Sequence, residues 1–444
     1  MKMKIRSFEV LEIFCALFPI CPSYFYIFGL QVKELILLFT LVAFIMLGSG
    51  VVSLKMLKAC IPIFIFVFFT GTSQLYHMEM RTLIMQVVLW VGVLLFASTT
   101  INTKERFYRL LDILIYAAVV VGIFGFIEEI THFNIFSLLN TAGATIKYNP
   151  LRLGILRIIS FTSHAISYCT YCMFILALLL YRIEHTEKGE KKKYIYFAVI
   201  IAANAMLTLS RIAFVGIFIE LVLYLYYSGR KQFIFKTVKY VVILLICVGI
   251  GCLFSSGLRR KVQLSVYIVG AYFDDSYITL LQENGFTDNP GGVGNRLDLY
   301  GWVYDEMKGK VWFGNGATSK FEHVFVNKDG YNQTKSSIEV EWLRTLYRYG
   351  IFGLIGEIIL LLSILAKTFF MKEAPENGLG FGKTCFSIVL AYIVVFFGVM
   401  QNQDVQAFAV IIMLLLAYKQ YNGFGIQKPR EEQRVEKYEA IGTN

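Results

Sequence analysis

"KKKYIYFAVIIAANAMLTLSRIAFVGIFIELVLYLYYSGRK", residues 191–231, decides how this chain folds. Basic residues stand at both ends of a long apolar run that a single arginine, Arg211, interrupts. Read as one helix, the run of roughly 35 residues would be far too long for a bilayer core of about 30 Å at 1.5 Å per residue. Flanking Lys and Arg mark cytoplasmic ends of spans. Both ends therefore lie on one side, and the middle is a helical hairpin with Arg211 at its outer tip. The arms are short, which sets the tip below the outer headgroups in a protein-lined cavity. A charge in hydrocarbon costs several kcal/mol, so one placed there marks a function.

The rest of the chain agrees. It has 444 residues, of which 57% are hydrophobic and 16% charged, with a mean hydropathy of +0.61. Soluble domains average about 25% charged. Apolar runs recur from end to end, and in lipid they must form helices that satisfy their own backbone. The fold class is an all-α integral membrane protein, one polytopic domain over residues 1–444. Twelve spans are expected, at 8–28, 31–50, 57–74, 82–100, 107–128, 161–181, 194–209, 212–228, 238–255, 347–367, 384–401 and 404–420. Clusters such as Lys2, Lys4 and Arg6, or Lys188 and Lys191 to Lys193, put both termini in the cytoplasm. Two outer segments are not spans: 129–160, and a large extracytoplasmic loop at 256–346 that carries Trp302, Trp312 and Trp342. A loop this long is expected to fold, here as short amphipathic helices against the membrane. The chain opens Met-Lys-Met-Lys-Ile-Arg and lacks a small-x-small cleavage site, so the first span is expected to be a retained anchor. Cysteines 15, 21, 60, 169, 172, 247, 252 and 385 all fall in apolar runs and read as packing residues, with no metal site expected.

Three stretches carry chemistry. In "NPGGVGNRLDLYGWVYDEMKGKVWFGNG" (289–316), Asn295 can cap a helix on which Arg296, Leu299, Val303 and Met307 share a face. Its glycines are neither a P-loop nor a dinucleotide fingerprint. Arg296 reads equally as a headgroup anchor. In "KSSIEVEWLRTLYRYGIFGLI" (335–355), Ser336-x-x-Glu339 fits a capping box. The alternative makes Glu339 a general base at a cavity mouth. Glu341, Arg344 and Arg348 lie on one face and can pair with one another. In "LRIISFTSHAISYCTY" (156–171), Arg157 precedes His164 and several hydroxyls, as at a wet cavity. Arg157, Arg211, Arg296 and Glu339 all map to the outer face, and arginine forks suit a phosphate-bearing lipid.

These residues resemble the O-antigen ligase/polymerase superfamily of lipid-linked polysaccharide assembly. The likeness rests on Arg157 to His164, Leu209-Ser210-Arg211, Asn295-Arg296, Phe313-Gly314-Asn315-Gly316, and Glu341-Trp342-Leu343 running to Tyr349-Gly350-Ile351-Phe352-Gly353, with one large outer loop late in the chain. It covers roughly residues 150–420, and the first 130 residues contribute only apolar spans. The resemblance implies a multi-pass enzyme of the bacterial cytoplasmic membrane that transfers glycan from undecaprenyl pyrophosphate without metal or cofactor. Its pyrophosphate arginines would be Arg157, Arg211 and Arg296, with Arg344 nearby, and its base Glu339 or Glu341, with His164 as a further candidate. Glu339 stands where ligases show a histidine, which points to the polymerase branch. The implied partners are a lipid-linked oligosaccharide and the bilayer, with a flippase and a chain-length regulator as candidates and no nucleic acid. The alternatives are a ligase that moves finished glycan to a lipid or wall acceptor, and a transporter or flippase. For the last, Glu128, Glu129, Glu220 and Glu357 in the spans are the supporting feature.

Overall fold

In the computed structural model, residues 188–227 fold as the expected pair of helices, broken at Thr208–Ser210 with Leu209 in the left-handed region (φ 48°). The structure describes residues 7–47, 54–141, 143, 156–230, 232, 249–250, 253–270, 276–283, 294–326, 332–338, 340–371, 379–397 and 406–423. In chain order the helices are α1 (Ser7–Leu17), α2 (Val32–Leu47), α3 (Leu54–Ala59), α4 (Ile61–Tyr76), α5 (Met80–Thr100), α6 (Lys104–Thr131), α7 (Ala165–His185), α8 (Lys188–Leu207), α9 (Arg211–Tyr227), α10 (Ser256–Gly270), α11 (Ser276–Glu283), α12 (Gly294–Glu306), α13 (Glu341–Phe369), α14 (Phe381–Phe397) and α15 (Gln406–Gly423). By length and composition α5, α6, α7 and α13 are long and apolar enough to cross a membrane, and α4, α14 and parts of α9 and α15 are shorter apolar helices. The protein is a mostly helical, multi-pass membrane protein.

Several boundaries move for identifiable reasons. The span expected at 8–28 stops at Leu17, because Pro19 and Pro22 have no N–H to continue it. A small antiparallel pair, β1 (Tyr26–Ile27) with β2 (Leu30–Gln31), then turns the chain into α2. The span expected at 57–74 is divided into α3 and α4, with Pro62 in the first turn of α4. The span at 161–181 starts later, at Ala165, where His164 Nδ1 accepts the Ile166 N–H at 3.1 Å as the cap. The span expected at 238–255 lies almost wholly outside the described residues. The large loop contains the expected helices and also a hairpin that was not expected, β3 (His323–Val326) with β4 (Asn332–Lys335).

The bundle is built around α7, nearly every side chain of which is buried, with α8, α9 and α14 packed on it. In lipid, association relies on close packing and interhelical hydrogen bonds rather than on exclusion of water. Gly125 of α6 lets the Asn204 amide of α8 lie against the backbone, and Tyr168 of α7 donates its hydroxyl to Asn204 Oδ1 at 3.0 Å. At the other end of the same helices Arg182 grips Asp112 bidentately, at 2.8 and 2.9 Å, and Tyr194 donates to the same carboxylate. The six described cysteines are buried and unbridged, as their apolar settings imply. A second, smaller core joins the loop to the bundle. In it, Leu299, Val303 and Met307, the expected face of α12, pack on Ile338, Leu343 and Tyr347.

The decisive feature is a break in α13. Gly350 has φ 68° and ψ −168°, a conformation essentially restricted to glycine. In a straight helix residues 345 and 357 would be about 18 Å apart. Here Thr345 Oγ1 donates to the Glu357 carboxylate at 2.6 Å, so α13 is an elbow whose short first arm folds back on its long second arm. The backbone groups freed by the break are taken by the 311–316 segment. Ile351 N–H donates to the Val311 carbonyl (2.9 Å), while Asn315 and Gly316 N–H donate to the Tyr347 (2.8 Å) and Arg348 (2.9 Å) carbonyls. Helix α13 begins at Glu341, and its cap residue, Val340, makes no side-chain bond. Ser336 therefore lies outside the helix, and the capping box read from the sequence is not formed. Glu339 lies outside the described residues.

A Cβ at Gly350 would collide with the Trp312 and Phe313 backbone, whereas one at Gly229 (φ 76°) would meet nothing within 4 Å. Both alanine variants bear backbone strain of about 1–3 kcal/mol, but only Gly350→Ala must also unseat the loop. Thermal unfolding of the detergent-purified protein should show a fall in Tm for Gly350→Ala roughly twice that for Gly229→Ala or more. Equal shifts would mean that the loop is not locked into the break.

Candidate functional site

The first arm of α13 places Glu341, Arg344, Thr345 and Arg348 on one face, at helical spacings of three and four. Arg344 is ion-paired with the buried Glu341. Arg348, one turn on, has no ion-pair partner among the described residues. Two cationic side chains at i and i+4 repel each other, and Glu341 lies within electrostatic reach of Arg348 as well, with Glu357 near Arg344 and Glu79 near Arg348. The face is thus a half-buried charge cluster in which Arg348, without a direct ion pair among the described residues, is the cation an anion would meet.

Arg344 and Arg348 border two cavities at once. One, of about 350 Å³, lies in the bundle between α2, α4, α5 and both arms of α13, with Lys33, Gln74, Gln86, Glu341 and Glu357 among its lining residues. The other, of about 330 Å³, lies under the loop, with Ser163, His164, Lys320, Glu322, Ser336 and Tyr347 around it. The arginine arm is the partition between a bundle cavity and a loop cavity.

The loop that locks the elbow is itself gripped from the far side by α4 and α5. Ser73 donates to the Phe313 carbonyl, and His77 Nε2 lies 3.1 Å from the Gly314 carbonyl oxygen. Glu79 accepts the N–H groups of Ala317 (2.7 Å) and Thr318 (2.9 Å) and the Thr318 hydroxyl. The early helices are therefore walls and clamps of the site and not mere apolar spans. A signal was available: Gln74, His77 and Glu79 are polar residues set closely between two apolar runs.

The residues expected at the site divide as follows. Glu341, Arg344 and His164 come together at the two cavities, although His164 also spends Nδ1 on its cap. Arg157 lines neither cavity. Its Nε donates to the Thr208 carbonyl at 3.0 Å, which ties it to the break between α8 and α9. The backbone beside it is held by Glu128, which accepts the Ile159 (3.1 Å) and Ser160 (2.8 Å) N–H groups. Arg211 opens α9 and Arg296 lies in the first turn of α12, but their side chains fall outside the described residues. Arg348 and Glu357 are site residues to which the sequence assigned no role in binding or catalysis.

Residues 196–357 match the family described as O-Antigen ligase, which supports the likeness of this stretch to the O-antigen ligase/polymerase superfamily. The matched stretch runs from α8 through the large loop to Glu357, so it contains the whole arginine arm. No curated protein matches the chain.

Glu79→Gln tests the clamp. The variant loses a charge-assisted acceptor shared by two backbone N–H groups, a loss of about 1.5–3 kcal/mol. Amide exchange at residues 316–318 should speed up by more than tenfold, while exchange in α7 stays unchanged. Unaltered exchange at 316–318 would show that the loop is held without Glu79.

Proposed function

We propose that the protein is a surface-polysaccharide polymerase of the bacterial cytoplasmic membrane. It transfers a growing glycan from undecaprenyl pyrophosphate to a lipid-linked repeat unit at the outer face. The observation that carries this reading is the arginine arm: two guanidinium groups one turn apart, one of them without an ion-pair partner among the described residues, bordering two cavities beside a carboxylate. The family match supports the same class of chemistry.

In the proposed reaction the donor pyrophosphate lies against Arg344 and Arg348, whose planar forks match its oxygens bidentately. The acceptor hydroxyl forms a bond to the anomeric carbon as the bond from that carbon to the pyrophosphate oxygen breaks. The electron pair leaves with the pyrophosphate, and its developing charge meets the two preorganised cations. The acceptor proton passes to a carboxylate. Glu341 is the first choice because it is already at the arm, and Glu339, two residues earlier, is the second. Arg157, Arg211 and Arg296 remain proposed pyrophosphate contacts on the strength of the sequence, with Arg157 steadying the α8–α9 break. The ligase alternative shares this chemistry and differs in the acceptor.

Arg344→Lys and Arg348→Lys keep the charge and lose the fork, so each should lower polymer by tenfold or more at normal protein abundance. Glu341→Gln should lower it by about 10²–10⁴-fold if Glu341 is the base. Near-normal polymer from both Lys variants, resolved on glycan gels, would dismiss the arm as the pyrophosphate site. In cells lacking the gene, single repeat units on lipid indicate a polymerase, and long lipid-linked chains that never reach an acceptor indicate a ligase.

The proposed orientation has its own check. An impermeant maleimide should label Lys320→Cys in intact cells and spare Glu190→Cys. The opposite pattern would put the loop in the cytoplasm and end the outer-face reading.

A further inference from the structure

The transfer chemistry leaves one wall of the bundle cavity unused. Gln74 of α4 is 1% exposed, lines the cavity, and has no hydrogen bond to either atom of its amide among the described residues. Tyr349 is a polar neighbour, but no hydrogen bond of good geometry joins them. One turn away, Thr70 accepts from Gln86 Nε2, and the buried Gln86 Oε1 has no partner among the described residues. Glu357 binds Thr345 through Oε2. Aromatic rings line the same cavity: Trp90, and Tyr392 stacked on Phe408 with ring centroids 4.2 Å apart.

An unmet buried amide costs about 1–3 kcal/mol, and such a group calls for an explanation. A ligand that answers it must offer donors and acceptors together, since an amide is both and a carboxylate is an acceptor. It must also offer apolar C–H surface to the rings. Phosphate offers acceptors and no donor, so it would leave the unpartnered Gln86 Oε1 and the Glu357 carboxylate unmet. An isoprenoid tail would leave the amides unmet. A pyranose ring has hydroxyls around its edge and C–H groups on its faces. At about 350 Å³ the cavity is at the small end of small-molecule sites, which run from roughly 300 to 1,000 Å³.

We propose that the bundle cavity is a subsite for one sugar residue of the lipid-linked glycan, held by Gln74, Gln86 and Glu357 beside the aromatic rings of the lining. The inference rests on the glycosyl-transfer reading but has a separate readout. Thr82, one turn before Gln86 on α5, also lines the cavity. In the full-length protein in lipid nanodiscs, Thr82→Cys is labelled with a charged maleimide, and the parent chain serves as the blank. The probes are the methyl glycosides of glucose, galactose and N-acetylglucosamine, inorganic pyrophosphate, and undecaprenol. At least one glycoside, at ten times its Kd, should slow labelling about tenfold. Adding Gln74→Leu, which leaves the wall packed and apolar, should abolish that protection. Protection by pyrophosphate or undecaprenol alone, protection by nothing, or protection that survives Gln74→Leu would each overturn the subsite. Glycan gels with Arg348→Lys read the transfer reaction independently. Lost polymer without sugar protection discards the subsite alone. Sugar protection with undiminished polymer keeps the subsite and discards the arm as the pyrophosphate site.

Discussion

A helix broken within a membrane protein exposes peptide groups that lipid cannot satisfy, and the structure is organised around answering that demand at Gly350. Non-helical backbone at membrane depth is tolerated only where protein or a polar cavity meets its hydrogen bonds. Here the 311–316 segment meets them, exchanging backbone bonds with residues 347–352 on both sides of the break. Neither partner is stable alone: the elbow without the segment has orphaned carbonyls, and the segment without the elbow has orphaned N–H groups. Ser73, His77 and Glu79 close the arrangement from α4 and α5, so three distant parts of the chain share one interlock.

That interlock is what gives the arginines a fixed position. The Arg348 carbonyl accepts from Gly316 N–H, and Ser73 also reaches it at 3.3 Å. The Tyr347 carbonyl accepts from Asn315. The backbone of the arm is thus pinned at Arg348 itself and at Tyr347, three residues beyond Arg344, which is the preorganisation that stabilisation of developing charge requires. A straight α13 would carry Glu357 about three turns away from Thr345, and the bundle cavity would lose its floor.

The sequence made some of this legible and hid the rest, for physical reasons. The break between α8 and α9 was readable because basic residues at both ends of 191–231 leave one topology for an apolar run of that length. The buried face of α12 was readable from its period. Glu341 and Arg344 were readable as a pair from their spacing. The elbow was not, because Gly350 sits in an apolar stretch where a glycine also passes as a packing residue, and its partners lie some 35 residues earlier. The capping box at Ser336 failed because the first arm starts at Glu341, where the small core of the loop fixes Val340 and Leu343. The roles of Ser73, His77 and Glu79 were hidden because their partners are backbone atoms of a distant loop, which carry no side-chain signature.

The carboxylates in the helices bear on whether the bundle works as a fixed scaffold or as a moving gate. A transporter needs charges that change partners as its halves rock about a central site. Glu128 is committed to two backbone N–H groups that hold the 156–160 segment, and Glu357 to Thr345 across the elbow. Both bonds join elements that the rest of the packing also holds together, so neither carboxylate is free to exchange partners without dismantling the site. Glu220 differs: it is 2% exposed and neither oxygen has a hydrogen-bond partner among the described residues. It sits one turn beyond Gly216, where α9 lies close against Met173 and Val395, and it lines neither of the two cavities described above. Of the charges that line the two cavities, those of the arginine arm border both and sit on backbone that the loop pins, as a scaffold for group transfer requires.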